Sequence, residues 1–204
     1  MEKVLYIPFE FFDAIDGNYL LNTKESLSDY LKDILYYRYQ YISSDTKLTS
    51  GEIGCFLSHV LLWKKIINEN ISPALILEDD IILTENFHHY VSCTIPDYDV
   101  IFLGHCDDSG YGKGQVVKKI PLNDSKELSV VTAKSPACTH AYLVTKRGVN
   151  RMLNYLDQKI SKKPIDLEIV DMVQFGIINA YQVFPTIVDQ DHSIPSSIEK
   201  TNKS

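Results

Sequence analysis

The sequence predicts an α/β domain with a mostly parallel central sheet flanked by helices. Short apolar runs of strand type alternate with longer runs of helical period along most of the chain. One helical run, 52–68, opens with the capping-box pattern Thr49-Ser-Gly-Glu52 and is broken by Ser72-Pro73 just before the apolar run 74–83. Two acidic clusters, Glu78–Asp80 and Asp107–Asp108, fall at the carboxyl ends of predicted strands, where such sheets bind ligands.

Lys3 to Phe12 reads as a strand closed by the turn 13–17, and Ser26 to Ile42 as a helix with tyrosines at 30, 36, 37, 39 and 41. Packing or surface exposure accounts for most of these rings, and sugar stacking for some. The helix 52–68 has apolar residues at 53, 56, 57, 60, 61, 63, 66 and 67, a 3.6-residue period. A strand over 74–83 follows, then a short helical segment near 85–91 and a strand from Asp99 to Leu103. The stretch 109–135 is polar, as expected of a hairpin and loops. Ala141 to Val144 reads as a strand, 147–157 and 165–175 as helices, and Tyr181 to Ile187 as the last strand. Residues 1–198 form one predicted domain, and 199–204 a mobile polar tail.

The chain has 204 residues, 45% hydrophobic and 23% charged, ordinary values for a soluble globular domain. Its net charge of −7 leaves no basic footprint for nucleic acid. An anionic ligand would need local donors or a bridging cation. No segment has the pattern of a signal peptide or the length of a bilayer span. Cys55, Cys93, Cys106 and Cys138 lack the paired spacing of a zinc site and read as free thiols of a cytoplasmic protein.

The run Leu75-Ile-Leu-Glu-Asp-Asp-Ile-Ile-Leu83 puts three carboxylates at the end of a buried strand. Burying unpaired, mutually repelling acids costs several kcal/mol. A metal ion, a basic cluster or exposure at the strand's end would each compensate. In an unbroken strand Glu78 and Asp80 share one side and Asp79 takes the other. Carboxylates suit Mg²⁺ and Mn²⁺, and spacing alone does not separate that reading from a solvated acidic turn. On the helix 52–68, Glu52, Cys55 and His59 share one face. Gly54 and Ser58 lie one turn apart, small enough for a close backbone approach.

Phe9-Glu-Phe-Phe-Asp-Ala-Ile-Asp-Gly17, Leu48-Thr-Ser-Gly-Glu-Ile-Gly-Cys-Phe-Leu-Ser-His59 with Trp63, and Ala74-Leu-Ile-Leu-Glu-Asp-Asp-Ile81 together resemble glycosyltransferase family 25. Cys138-Thr-His-Ala-Tyr-Leu-Val-Thr-Lys-Arg-Gly148, Pro164-Ile-Asp166 and Pro185-Thr-Ile-Val-Asp-Gln190 continue the likeness in order, over residues 5–198. This is the family of lipooligosaccharide galactosyltransferases and their collagen-modifying relatives. The resemblance implies a GT-A-type fold, a UDP-sugar donor (most often UDP-galactose), a saccharide acceptor, inversion at the anomeric carbon, and a divalent cation, Mn²⁺ or Mg²⁺. It further implies a cytoplasmic protein, peripheral on the inner face of the membrane where the acceptor is membrane-linked.

By similarity, Asp80 is the first choice of metal ligand, with Glu78 and Asp79 near the donor ribose or the same ion and His192 as a C-terminal ligand. Asp166 is the expected base for the acceptor hydroxyl, with Glu168 and Asp171 as competitors and helix capping as the alternative role. Asp16, Glu52, Gly54, Ser58, His59 and His140 are expected around the donor, with a Gly/Ser packing seam and a satisfied histidine as the alternative on the helix 52–68, and His105, Asp107 and Asp108 near donor or acceptor sugar. The likeness departs at the start: only eight residues precede Phe9, where the family places a strand and a basic helix. That departure implies open strand edges and, as an alternative, a non-catalytic relative that binds a sugar or a protein through the same cleft.

Overall fold

The structure, a computed structural model, describes residues 9–22, 29–105, 114–123 and 125–194. The strand expected from Lys3 lies mainly outside these residues, as do Asp107, Asp108 and the tail 199–204, and residues 9–16 have no regular structure. The chain then forms α1 (Gly17–Asn22), α2 (Asp29–Tyr41) and α3 (Ser50–Asn68). Both halves of the expected capping box open α3: Glu52 N–H donates to Thr49 Oγ1, and Thr49 N–H donates to Glu52 Oε2. Next come β1 (Ala74–Leu77), β2 (Ile81–Leu83), a 3₁₀ segment (Phe87–Cys93), β3 (Val100–Phe102), β4 (Val116–Asn123) and β5 (Lys126–Thr132). The chain ends with β6 (Ala141–Val144), α4 (Lys146–Leu156), α5 (Ile165–Gln174), β7 (Ala180–Phe184) and β8 (Val188–Gln190).

Six strands form one sheet in the order β1-β6-β3-β7-β5-β4, and β2 pairs with β8 in a separate ribbon. The α/β class holds, but the sheet is mixed. Only β3–β7 pairs parallel, while β1–β6, β3–β6, β4–β5 and β5–β7 pair antiparallel. β6 runs against both its neighbours, and a long hairpin, β4–β5, closes the far side. Among the described residues β1 ends the sheet, with no strand on its outer edge.

Alternation along the strands builds two cores. Val100 and Phe102 of β3, Tyr142 and Val144 of β6 and Ile76 of β1 pack with Phe56, Val60 and Trp63 of α3 and with α4 and α5. Ile101, Leu103, Ala141 and Leu143 face the other way, onto Cys93 of the 3₁₀ segment and Val188 of the ribbon. Asp99 clamps the start of β3: its carboxylate, fully buried, accepts from Arg147 Nε at 2.7 Å, Arg151 Nη1 at 2.5 Å and the Asn179 amide at 2.9 Å. Among the described residues no helix is long and apolar enough to cross a membrane.

The predicted strand 74–83 is two strands, because the chain leaves the sheet at Glu78 and re-forms β2 against β8. The predicted last strand 181–187 is β7, which ends at Phe184, and a further strand, β8, follows at Val188–Gln190. Cys55 and Cys93 are free, whereas Cys138 is disulfide-bonded, so the expectation of four free thiols fails.

Candidate active site

The break after β1 sends the three acids in different directions. Glu78 keeps the parity of Ala74 and Ile76 and so faces α3. There its Oε1 accepts from Thr139 Oγ1 at 2.7 Å and meets His59 Nε2 at 3.2 Å. His59 Nδ1 meets the Tyr142 hydroxyl at 2.9 Å, and that hydroxyl accepts from Trp63 Nε1 at 2.9 Å. Burial, the strongest influence, pushes the Glu78 carboxyl up, but His59 and Thr139 carry it below its ordinary value. Burial also pushes the His59 imidazole down, and Tyr142, Cys55 and Glu78 outweigh it, so it ends well above its ordinary value. Both directions describe a charged His59–Glu78 pair.

Asp79 is exposed. Asp80 turns toward β8: its Oδ2 accepts from Gln190 Nε2 at 2.7 Å, and its backbone carbonyl accepts from the Asp191 amide at 2.6 Å. Its Oδ1 is buried and has no hydrogen-bond partner among the described residues. A buried carboxylate oxygen left unmatched is costly in isolation, and it fits a cation ligand. His192, exposed, follows Asp191 and so stands one residue beyond the Asp80 backbone contact. His192 thus follows in the chain the residue whose amide meets Asp80, while Glu78 turns away toward α3.

A cleft of about 240 Å³ opens beside these acids. Glu52 and Cys55 of α3, Glu78, Cys138–His140 before β6, Pro164–Leu167 at the start of α5, and Gln190 line it. Neither lysine nor arginine is among these lining residues. Asp166, half-buried, lies in the first turn of α5, where Pro164, not Asp166, takes the N-cap position. Its Oδ1 accepts from the Leu167 amide at 2.8 Å. Glu168, by contrast, is buried behind the helix with Lys159 and Ser161, and it anchors the turn that presents Asp166. Asp171 pairs with Lys163.

Other expected donor residues serve the frame. Asp16 caps α1, accepting from the Asn18 and Tyr19 amides on Oδ1. Ser58 Oγ accepts from the Ile15 amide and donates to the Gly54 carbonyl. A Cβ on Gly54 would lie 2.4 Å from the Ile15 carbonyl oxygen, which is why the α1–α3 seam needs glycine there. None of these three lines the cleft. His140, buried, does line it and is 3.4 Å from the Val188 carbonyl oxygen through Nε2. His105 stacks on Phe184 with ring centroids 4.5 Å apart. Residue-by-residue reasoning did not single out Thr139 and Gln190. Their signal was adjacency: each sits in a quoted motif, one beside His140 and the other across the ribbon from Ile81.

The fold is thus an α/β sheet with an acid-lined cleft, one of whose lining residues, Gln190, holds the partly unmatched carboxylate of Asp80. The chain belongs to glycosyltransferase family 25, the LPS biosynthesis proteins, whose family model matches residues 1–171. It is 30% identical over 192 residues to a Haemophilus influenzae protein whose name assigns it only provisionally as a glycosyltransferase, covering 91% of this chain and 61% of the relative. It is 27% identical over 193 residues to the Haemophilus influenzae lipooligosaccharide biosynthesis protein lic2B, covering 91% and 66%. To procollagen galactosyltransferase 2 of Mus musculus it is 34% identical over 163 residues, covering 75% and 24%. The chain thus spans less than two thirds of the length of these relatives.

Proposed function

We propose that the chain is the donor-binding and catalytic region of an inverting glycosyltransferase of GT-A type. It would move a hexose, galactose from UDP-galactose, to a saccharide acceptor in the assembly of lipooligosaccharide or another surface glycan. The reaction belongs in the cytoplasm, at the inner membrane face where the acceptor is lipid-linked. The observation that carries this reading is the unmatched Asp80 Oδ1, whose carboxylate is bonded to Gln190 in the lining of a cleft that also holds Asp166.

Asp80 and His192 would hold a divalent cation, Mn²⁺ or Mg²⁺, which as a Lewis acid offsets charge on the departing diphosphate. Asp166 takes the proton of the acceptor hydroxyl as its oxygen attacks the anomeric carbon from the side opposite the diphosphate. The carbon–oxygen bond to the diphosphate breaks, and UDP leaves with the electron pair. Glu52, Glu78 and His140 would border the sugar. Their fixed partners (Thr49, His59 with Thr139, and Val188) hold them in place before the ligand arrives.

Calorimetry with UDP-galactose, with and without Mn²⁺, tests donor binding, and a radiolabelled transfer assay tests chemistry. Metal-dependent binding by wild type and by Asp166→Asn, with transfer lost only in the variant, is expected. Wild-type turnover by Asp166→Asn removes it as the base, and no metal-dependent binding at millimolar donor sinks the enzyme reading. Among the described residues no strand pairs with the outer edge of β1, and a second reading is a relative that binds sugar or a protein without transfer. Metal-dependent donor binding with no turnover on any acceptor would select it.

A further inference from the structure

Cys55, His59 and Glu78 form a second cluster of ligand type, distinct from the Asp80 corner. One donor atom from each lies within 4.8 Å of the other two. Cys55 and His59 are four residues apart on α3, one turn, so their side chains rise from the same face. Glu78 reaches that face because it keeps the parity of β1. His59 Nε2 and Glu78 Oε1 are already 3.2 Å apart. Two ligands at about 2.0–2.2 Å from a tetrahedral Zn²⁺ stand roughly 3.4 Å from each other.

The surroundings are those of a held ligand set. His59 Nδ1 is fixed by the Tyr142 hydroxyl, itself fixed by Trp63 Nε1, so the ring presents Nε2 to Glu78. Thr139 Oγ1 holds the Glu78 carboxylate from the other side. His59 is buried, while Cys55 and Glu78 line the cleft, so one side of the cluster opens to it.

We propose that Cys55, His59 and Glu78 bind a borderline-soft divalent cation of the Zn²⁺ class, with its fourth position open to the cleft. Thiolate, imidazole and a single carboxylate select Zn²⁺ over Mg²⁺ and Mn²⁺, whereas the Asp80 corner offers oxygen to the harder ions. Uptake replaces the protons on Cys55 Sγ and His59 Nε2, which pass to solvent. The bound ion would tie the end of β1 to α3 and hold Glu78 at the cleft wall.

The test uses the full chain and cobalt as a spectroscopic stand-in, so it does not depend on transfer activity. Equimolar Co²⁺ is expected to give a thiolate-to-metal charge-transfer band and tetrahedral visible bands. Dialysis with Zn²⁺ in the presence of excess Mg²⁺ should leave one zinc per chain. Cys55→Ser should lose the charge-transfer band and bind Zn²⁺ roughly tenfold or more weakly. Glu78→Gln should keep the band but weaken binding, and Asp80→Asn should leave both unchanged. Circular dichroism confirms that each variant is folded. A wild-type cobalt spectrum without a thiolate band, or a Cys55→Ser variant that keeps it, overturns the proposal.

Discussion

Replacing Asp80 with asparagine separates a cation ligand from a structural acid, because the two roles predict opposite signs. Oδ2 is matched by Gln190, and an asparagine carbonyl can keep that bond. Oδ1 is buried and unmatched, and such a group costs about 1–3 kcal/mol in the metal-free protein. Asp80→Asn removes the charge from that position, so without metal the variant should be as stable as wild type or up to about 1 kcal/mol more stable. With Mn²⁺ and UDP the order reverses. A ligand at a hundred times its dissociation constant stabilises by about 2.7 kcal/mol. For a domain of this size that is a rise of about 5–10 °C in melting temperature. Wild type should show the rise, and the variant should not. Thermal unfolding with and without Mn²⁺ and UDP measures both signs. An Asp80→Asn variant that loses stability in the absence of metal, or gains as much as wild type in its presence, refutes the assignment.

Three further outcomes follow from the frame. A Cβ on Gly17 would sit 1.8 Å from the Ser50 carbonyl oxygen, so Gly17→Ala must push α1 off α3. A loss of about 1–3 kcal/mol in urea unfolding is expected, and no loss would mean that the seam yields freely. Asp99→Asn removes a fully buried charge from Arg147 and Arg151, which are 45% and 43% exposed and can recover water. It should cost roughly 3 kcal/mol, the low end for breaking a buried pair, and leave donor affinity unchanged; a loss below about 0.5 kcal/mol would make the clamp incidental. Burial pushes the Cys93 thiol up to about 11, so at pH 8 only about one in a thousand is ionised. Native alkylation mapped by mass spectrometry should label half-buried Cys55 and spare Cys93, and equal labelling would mean that the 3₁₀ segment does not cover the sheet.

Local chemistry was legible in the sequence and long-range pairing was not. Thr49 and Glu52 announce α3 through a contact made within four residues, and Ala141–Val144 stands out as a short apolar run between a polar segment and a helix. Strand direction left no trace, because strands such as β3 and β6, buried on both faces, read as the same apolar run whichever way they pair. The hairpin expected in the polar stretch 109–135 is there as β4–β5. Lys118, Lys119, Lys126, Glu127 and Pro121, which the edge strand β4 tolerates, gave no sign that it would join the main sheet. In the site, the helix period placed Cys55 and His59 on one face. Only the tertiary fold could bring Gln190 to Asp80 across 110 residues, or end β1 one residue before its acids.

That ending resolves the electrostatics of the acidic run and sharpens what the ligand requires. With Glu78 paired to His59 and Thr139, Asp79 in solvent and Asp80 turned to Gln190, the adjacent charges no longer share one space. The cleft still holds Glu52, Glu78 and Asp166, and among the described residues no lysine or arginine lines it. A phosphate charge about 6 Å from a carboxylate meets roughly 3 kcal/mol of repulsion at an effective dielectric of 20. Several such terms act together, and a diphosphate entering unaided would be rejected. The sugar, which is neutral, can lie among these acids and use them as acceptors. On the proposed reading the diphosphate would stand by Gln190, where the unmatched Asp80 oxygen would offer a cation its seat. On that same reading the acids would orient the donor as well as hold it: hexose inward toward Asp166, charge outward toward Asp80 and His192.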